Sequence, residues 1–198
     1  MRIILASNSP RRKDLLATLI KDFEIVSSTA EDDSDIKARI KEPVELVEKL
    51  SIVKAKDVFS KEQSKSENLI VIGGDTIVYL DGEVLGKPKN EEDAFDMLSR
   101  LQGRENEVYT GLALAIKIGN QIREEVYSNK TIVKMNKMSE EDIWEYIATK
   151  DPMDKAGSYA VQGIGSKYIE NVKGNYNAVV GLDTDKLESV LKKYGGIQ

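Results

Sequence analysis

Two arginines stand at the start of a helix that directly follows a short apolar strand. Ser9 and Pro10 are typical of a helix N-cap and a first helical position, and Arg11 and Arg12 come next. The N–H groups at a helix N-terminus and the planar guanidinium donors both favour phosphate oxygens. The segment therefore predicts an anion site. A capped surface helix with two solvated arginines is the alternative interpretation.

A carboxylate lies inside the most apolar run of the chain, residues 69–80. Asp75 follows Gly73 and Gly74 there, and an isolated carboxylate is costly to bury. A metal ion, a lysine partner or a role as base for water would compensate it, and the two glycines would let a ligand approach the backbone closely. The alternative is an aspartate at a strand end that binds a backbone turn.

Three lysines lie at positions where they could bind an anion or pair with a buried carboxylate, as well as being simply solvated. Lys54 interrupts the apolar face of a predicted helix, Lys87 lies in a Gly-Lys-Pro turn, and Lys155 follows shortly after Pro152. Each alone is typical of a solvated lysine. The chain has no P-loop and no dinucleotide-binding glycine motif. Any phosphate would therefore be bound by dispersed cations and the first helix.

Composition excludes several kinds of chemistry. The 198 residues contain neither cysteine nor histidine, which excludes disulfides, Cys and His zinc sites and serine–histidine hydrolysis. Carboxylates, lysines and metal-bound water remain for proton transfer. The formal net charge of -5 disfavours a nucleic acid as partner and favours a small anionic ligand in a pocket.

The chain starts with a predicted strand, not with a signal peptide, and no apolar run approaches the ~20 residues of a membrane span. We therefore expect a cytoplasmic protein without a membrane partner.

Hydrophobic periodicity predicts one mixed α/β unit. The predicted strands are residues 2–6, 24–27, 69–80, 83–85, 107–118 and 121–135. The predicted helices are residues 10–19, 43–59, 91–101, 140–149 and 184–193. Residues 28–41 form a predicted mobile acidic loop, and residues 157–181 are a segment punctuated by glycines.

Six segments together resemble the Maf family, in the right order along nearly the whole chain. They are residues 7–12, 54–55, 74–78, 86–88, 108–111 and 154–163. The resemblance implies an α/β protein with the two-lobed mixed-sheet fold of the Maf and inosine-triphosphatase-like type, in which residues 1–198 form a single domain around a central cleft. It also implies hydrolysis of a nucleoside triphosphate between the α- and β-phosphates, and a link to septum formation.

The resemblance also assigns roles to particular residues. The general base falls on Asp75. The positions that distinguish the substrate subgroups fall on Arg11, Thr76 and Gln162, and these residue types match the dTTP/UTP subgroup. The implied phosphate-binding residues are Ser9, Arg12, Lys54, Lys87 and Lys155.

The family's divalent metal, Mg²⁺ or Mn²⁺, falls on Asp75 and Glu31, with Asp32 or Asp33 as alternatives to Glu31. A homodimer is implied by the family alone. Two other functions stay open: a 7-methyl-GTP pyrophosphatase, whose subgroup typically has tryptophan, glutamine and glutamate at the three selecting positions, and a non-catalytic nucleotide-binding regulator of cell division.

Two residues depart from the family pattern. Asn106 stands where histidine is common, and Asp183 stands where a proline follows Gly181-Leu182. Neither position carries the implied chemistry, so the departures concern local geometry.

Overall fold

The computed structural model describes residues 1–30, 36 and 39–197. In this part of the chain the strands are β1 (Arg2–Leu5), β2 (Glu24–Ile25), β3 (Asn68–Leu80), β4 (Glu83–Leu85), β5 (Glu105–Ile118), β6 (Gln121–Met135) and β7 (Ile169–Lys173). The helices are α1 (Pro10–Ala17), α2 (Pro43–Glu62), α3 (Glu91–Leu101), α4 (Glu140–Ala148), α5 (Tyr176–Val180) and α6 (Thr184–Lys193). Short 3₁₀ helices cover Gln63–Lys65, Asp151–Asp154, Ala156–Ser158 and Gly163–Tyr168.

The strands form one mixed sheet, which confirms the predicted α/β class. Their order is β2-β1-β3-β5-β6-β7, with β4 paired to β3 off this path. β1 runs parallel to β2 and β3, whereas β4 is antiparallel to β3 and β7 is antiparallel to β6. The β3–β4 turn uses Asp81 and Gly82 with φ of 52° and 86°, the positive pair that a two-residue hairpin turn needs.

The chain divides into two compact units. Unit 1 comprises the described residues of 1–75, 110–129 and 181–198. Its core packs α2 against the apolar halves of β3 and β5, through residues such as Ala55, Val58, Val71 and Ala113. These side chains alternate along the strands and recur at helical spacing on α2, so the periodicity that predicts each element also places it against the core.

Unit 2 comprises residues 76–109 and 130–180. Helices α3 and α4 pack on each other here, and the rings of Phe95 and Trp144 stack with centroids 4.8 Å apart. β7 and α5 also lie in this unit. No helix or strand was predicted for residues 157–181, so that part of the secondary-structure prediction was incomplete.

No helix in the described part of the chain is long and apolar enough to cross a membrane.

A carboxylate of unit 1 ties the end of the chain to β6. Glu125 accepts hydrogen bonds from Lys193 at 2.5 Å and from Tyr194 and Tyr127 at 2.6 Å each. The Lys193 bond comes first among the causes that lower the pKa of Glu125 from 4.5 to about 2. Because the pKa is lower in the folded state, the stabilisation is complete above pH 4.5 and is lost as the pH falls towards about 2.

We therefore expect Glu125→Gln to lower the free energy of unfolding by about 1 kcal/mol at pH 7. The difference from the wild-type protein should shrink at pH 3, where urea denaturation can measure it. Glu124→Gln is the matched control, because Glu124 makes an exposed ion pair with Lys56 that contributes little. Equal stability of the two variants at pH 7 would contradict the prediction.

Candidate active site

The predicted helix cap at the start of α1 is confirmed. Ser9 has extended backbone angles, its hydroxyl accepts a hydrogen bond from the Arg12 amide at 3.4 Å, and Pro10 is the first helical residue. Arg11 and Arg12 therefore both lie in the first helical turn, and both are half-buried. The half-burial of Arg12 disfavours the alternative of two merely solvated arginines.

The Arg12 guanidinium has fixed partners within unit 1. Its Nε donates to the Gly181 carbonyl oxygen at 2.9 Å, and its Nη1 donates to the buried Ser7 hydroxyl at 3.2 Å. Ser7 and Gly181 were not among the predicted site residues. Ser7 is two residues before the cap, which is a local signal, whereas Gly181 lies 169 residues away from Arg12 and offers none.

Asp75 has a lysine partner. Lys54 Nζ on α2 donates to Asp75 Oδ1 on β3 at 2.6 Å, and the two side chains are only 8% and 16% exposed. Of the three ways to compensate this carboxylate, the structure shows the lysine. Asp75 lies in the interior of β3, so the alternative of a strand-end aspartate is wrong.

Close packing of α2 at two glycines, Gly73 and Gly111, brings Lys54 to Asp75. A Cβ on Gly73 would lie 2.3 Å from the Ser51 carbonyl oxygen, and one on Gly111 would lie 2.3 Å from the Val47 carbonyl oxygen. The backbone of α2 therefore approaches the sheet more closely than any side chain would allow. At Gly74 the neighbour is Arg12, whose Nε would be 3.4 Å from such a Cβ.

The interpretation of Gly73 as space for a ligand is therefore wrong for its Cβ side, because helix backbone fills that space. At Gly74 the Arg12 side chain lies at ordinary contact distance, so the same interpretation of Gly74 stays a prediction. Gly73 positions α2, and with it Lys54, against β3.

Unit 2 holds four other predicted site residues. Thr76 follows Asp75 directly on β3 and is half-buried, whereas Lys87 and Gln162 are exposed. The turn that carries Lys87 is joined to the segment after Lys155 by a hydrogen bond of 3.0 Å from the Gly157 amide to the Gly86 carbonyl. The structure thus brings together two of the predicted cation segments.

Lys155 is the most enclosed of these cations in unit 2, with a side chain 11% exposed. Its ammonium donates to the Asp151 carboxylate at 3.0 Å, to the Asp154 carboxylate at 2.7 Å and to the Asp151 carbonyl oxygen. These bonds fold residues 151–155 around the ammonium.

Few side chains in the described part of the chain are placed to act together as metal ligands. No group of three or more His, Cys, Asp and Glu side chains is placed there as metal ligands. Glu31, Asp32 and Asp33, the acids predicted to share the metal with Asp75, lie outside the described residues, as does much of the predicted loop 28–41.

The two departures from the family pattern have structural roles. Asn106 is buried, donates to the Val133 carbonyl at 3.1 Å and accepts from the Tyr159 hydroxyl at 2.8 Å. Asp183 is the N-cap of α6 and accepts from the Asn129 side-chain amide at 3.0 Å. The amide of Asn106 and the carboxylate of Asp183 therefore make local hydrogen bonds that support the fold at these two positions.

Known proteins match this chain over nearly its whole length. The profile of the Maf-like protein family matches residues 2–194. The dTTP/UTP pyrophosphatase of Dictyoglomus thermophilum is 44% identical over 193 residues, 98% of this chain and 96% of that protein. The dTTP/UTP pyrophosphatase of Caldanaerobacter subterraneus subsp. tengcongensis is 43% identical over 198 residues, 100% of this chain and 91% of that protein.

A solved structure gives a much more distant match. The Staphylococcus aureus Ham1 protein has a TM-score of 0.47 and 15% sequence identity, with 98% of this chain and 99% of that chain covered. The profile match and the sequence relatives confirm the resemblance found in the sequence: the chain belongs to the Maf family.

Proposed function

We propose that this protein is a nucleoside triphosphate pyrophosphatase that hydrolyses dTTP and UTP to the nucleoside monophosphate and pyrophosphate. Membership in the Maf family and the names of the relatives support the reaction class. The structural observation that carries the proposal is the ion pair of Asp75 on β3 with Lys54 on α2, at 2.6 Å. The Arg12 side chain lies against Gly74, the residue before Asp75 on the same strand. One unit thereby presents a base and two cations.

Asp75 is proposed to orient the attacking water and accept its proton. The water oxygen bonds to phosphorus at the α–β anhydride, and the bond to the leaving pyrophosphate breaks. Lys54 donates to Asp75 Oδ1 and so limits rotation of the carboxylate. Because the chain has no histidine, a carboxylate is the natural base for this step.

The proposed phosphate contacts are made by cations. Arg12 is oriented by the bonds of its Nε and Nη1 to Gly181 and Ser7, which leaves little entropy to lose when an anion binds. Ser9 at the α1 N-terminus and Lys87 are proposed to add donors. Lys155 would exchange one of its exposed bonds, such as that to Asp154, for a phosphate oxygen.

Base selection is proposed to depend on Arg11, Thr76 and Gln162. The amide of Gln162 can donate and accept at once, which suits the carbonyl–NH edge of thymine or uracil. Cytosine exchanges the donor and the acceptor on this edge, so an amide held in one orientation pairs with thymine and uracil but not with cytosine. A preference for dTTP and UTP over CTP is therefore expected.

We also propose that a divalent cation assists the reaction, because the Asp75 carboxylate offers an oxygen ligand of the kind that such an ion prefers. Mg²⁺ and Mn²⁺ prefer oxygen ligands, and Mg²⁺ commonly binds one or two carboxylates together with substrate phosphates. Asp75 is the carboxylate proposed to hold it, with Glu31 as the second ligand. When bound, the ion would neutralise charge on the leaving pyrophosphate.

The test is a measurement of pyrophosphate release from dTTP, UTP, CTP and 7-methyl-GTP, with Mg²⁺ or Mn²⁺ present and after chelation. We expect turnover of dTTP and UTP that is lost on chelation. A preference for 7-methyl-GTP would overturn the proposed substrate. Tight nucleotide binding without release from any triphosphate would instead favour a non-catalytic regulator.

A further inference from the structure

Three tyrosine hydroxyls of unit 2 bind in and around one short segment, residues 159–161. The Tyr176 hydroxyl donates to the Val161 carbonyl at 2.9 Å, and the Tyr146 hydroxyl accepts from the Ala160 amide at 3.2 Å. Tyr159, within the segment, donates its own hydroxyl to Asn106 at 2.8 Å. The residue that follows the segment is Gln162.

Tyr146 links this segment to Lys155. Its hydroxyl donates to Asp151 Oδ2 at 2.8 Å, while Asp151 Oδ1 accepts from Lys155 at 3.0 Å. Tyr146 is 1% exposed, and burial, together with the bond to Asp151, raises the pKa of its hydroxyl above the ordinary value. The hydroxyl therefore keeps its proton at neutral pH and can donate to Asp151.

Gly165 makes room for this arrangement. A Cβ at that position would lie 2.3 Å from the Tyr146 hydroxyl and 2.5 Å from the Ala160 carbonyl oxygen. The 3₁₀ helix Gly163–Tyr168 therefore passes against the Tyr146–Ala160 contact without a side chain between them. The backbone before Gln162 is constrained by the Tyr146–Ala160 hydrogen bond, and the backbone after it by the close packing of Gly165.

Asn106 anchors the segment to the sheet. It is 2% exposed and lies on β5, where its side-chain amide donates to Val133 on β6 at 3.1 Å while its oxygen accepts from Tyr159. The Gln162 side chain itself is exposed, so its placement depends on the backbone that carries it. Two tyrosine hydroxyls hydrogen-bond that backbone, at Ala160 and Val161.

We propose that Tyr146, Tyr159 and Tyr176 are positioning residues for nucleobase selection: their hydroxyls hold residues 159–161 and thereby set where Gln162 presents its amide. The inference rests on the proposed function and names determinants of selectivity beyond Arg11, Thr76 and Gln162. Tyr146 also couples the segment to Lys155, so the base-selecting and phosphate-binding parts of unit 2 share one hydrogen-bond chain.

The experiment measures kcat and KM for UTP and CTP in Tyr176→Phe and Tyr146→Phe. Loss of one positioning hydrogen bond should lower the UTP/CTP ratio of kcat/KM about fivefold, mostly through KM for UTP. Tyr168→Phe is the matched control, because the Tyr168 hydroxyl donates to a backbone carbonyl of the same unit, that of Asp142, at 3.1 Å. It should keep the wild-type ratio.

Folding is controlled by the choice of variants. Tyr176 is 43% exposed, so Tyr176→Phe should fold even if Tyr146→Phe does not. Gly165→Ala should also lower the ratio without removing any hydroxyl, and urea denaturation must show that it stays folded, because its Cβ would lie 2.3 Å from the Tyr146 hydroxyl and 2.5 Å from the Ala160 carbonyl oxygen. If Tyr168→Phe lowered the UTP/CTP ratio of kcat/KM as much as Tyr176→Phe does, the effect would be a general destabilisation of unit 2, and the inference would be overturned.

Different results would contradict the positioning role of the tyrosines and the proposed function. An unchanged UTP/CTP ratio in Tyr176→Phe and Gly165→Ala, with an active wild-type protein, overturns the inference and leaves the proposed function intact. Absence of pyrophosphate release by the wild-type protein from every triphosphate contradicts both.

Discussion

Replacing Asp75 with asparagine is expected to lower kcat for UTP about 10³-fold, the usual size of a positioned general-base effect. The amide cannot accept the proton of the attacking water, whereas its oxygen can still accept the hydrogen bond from Lys54 that the carboxylate accepts at 2.6 Å. The variant should therefore fold and bind nucleotide. Pyrophosphate release measures kcat, and calorimetric titration with UTP measures binding.

A general effect of an Asp-to-Asn change is tested with Asp142→Asn. Asp142 belongs to the capping box at the start of α4, where it accepts from the Ser139 amide at 2.9 Å. That variant should lose some stability and keep its kcat. Turnover by Asp75→Asn within about tenfold of the wild-type value would remove Asp75 from the role of base, even with the fold intact.

Elements with strong local signals could be predicted from the sequence. α6 covers Thr184–Lys193 as predicted, and the turn at Asp81 and Gly82 has the positive φ angles that this residue pair favours. β7 gave no such signal. Only Ile169 and Val172 are partly buried in its five residues, which is not the alternation typical of a strand, and its pairing with β6 contains a register shift.

The candidate site was predictable by residue type but not by pairing. The buried carboxylate and the interrupted apolar face of α2 both indicated function, yet three kinds of partner for Asp75 stayed open. Lys54 is 21 residues away from it, and their contact exists only once α2 packs on β3. Gly181, which accepts from Arg12, comes from the far end of the chain, where periodicity gives no information on contacts.

The three tyrosines around residues 159–161 were missed for a related reason. A tyrosine in a sequence does not show which backbone atom its hydroxyl will reach. Tyr146 lies on the helical face that predicts burial, and burial alone predicts a core residue. Its bonds to Asp151 and Ala160 arise from residues that follow α4.

Gly73→Ala is expected to have the largest effect on stability, with a fall of about 3 kcal/mol in the free energy of unfolding, at the upper end for overpacking a core. The added Cβ would meet the Ser51 carbonyl oxygen at 2.3 Å and the Ala55 amide nitrogen at 2.8 Å. Both are backbone atoms of α2, so no side-chain rotation relieves the overlap, and the helix must move away from β3.

The same displacement should reach the candidate active site, because Lys54 precedes Ala55 on α2. Its bond to Asp75 should lengthen, so we expect kcat to fall together with stability. Gly86→Ala is the matched control: a Cβ there has no atom within 4 Å, and urea denaturation should detect little change. If Gly73→Ala instead unfolds with the wild-type free energy, α2 can be displaced without cost, and close packing at Gly73 is not what positions Lys54.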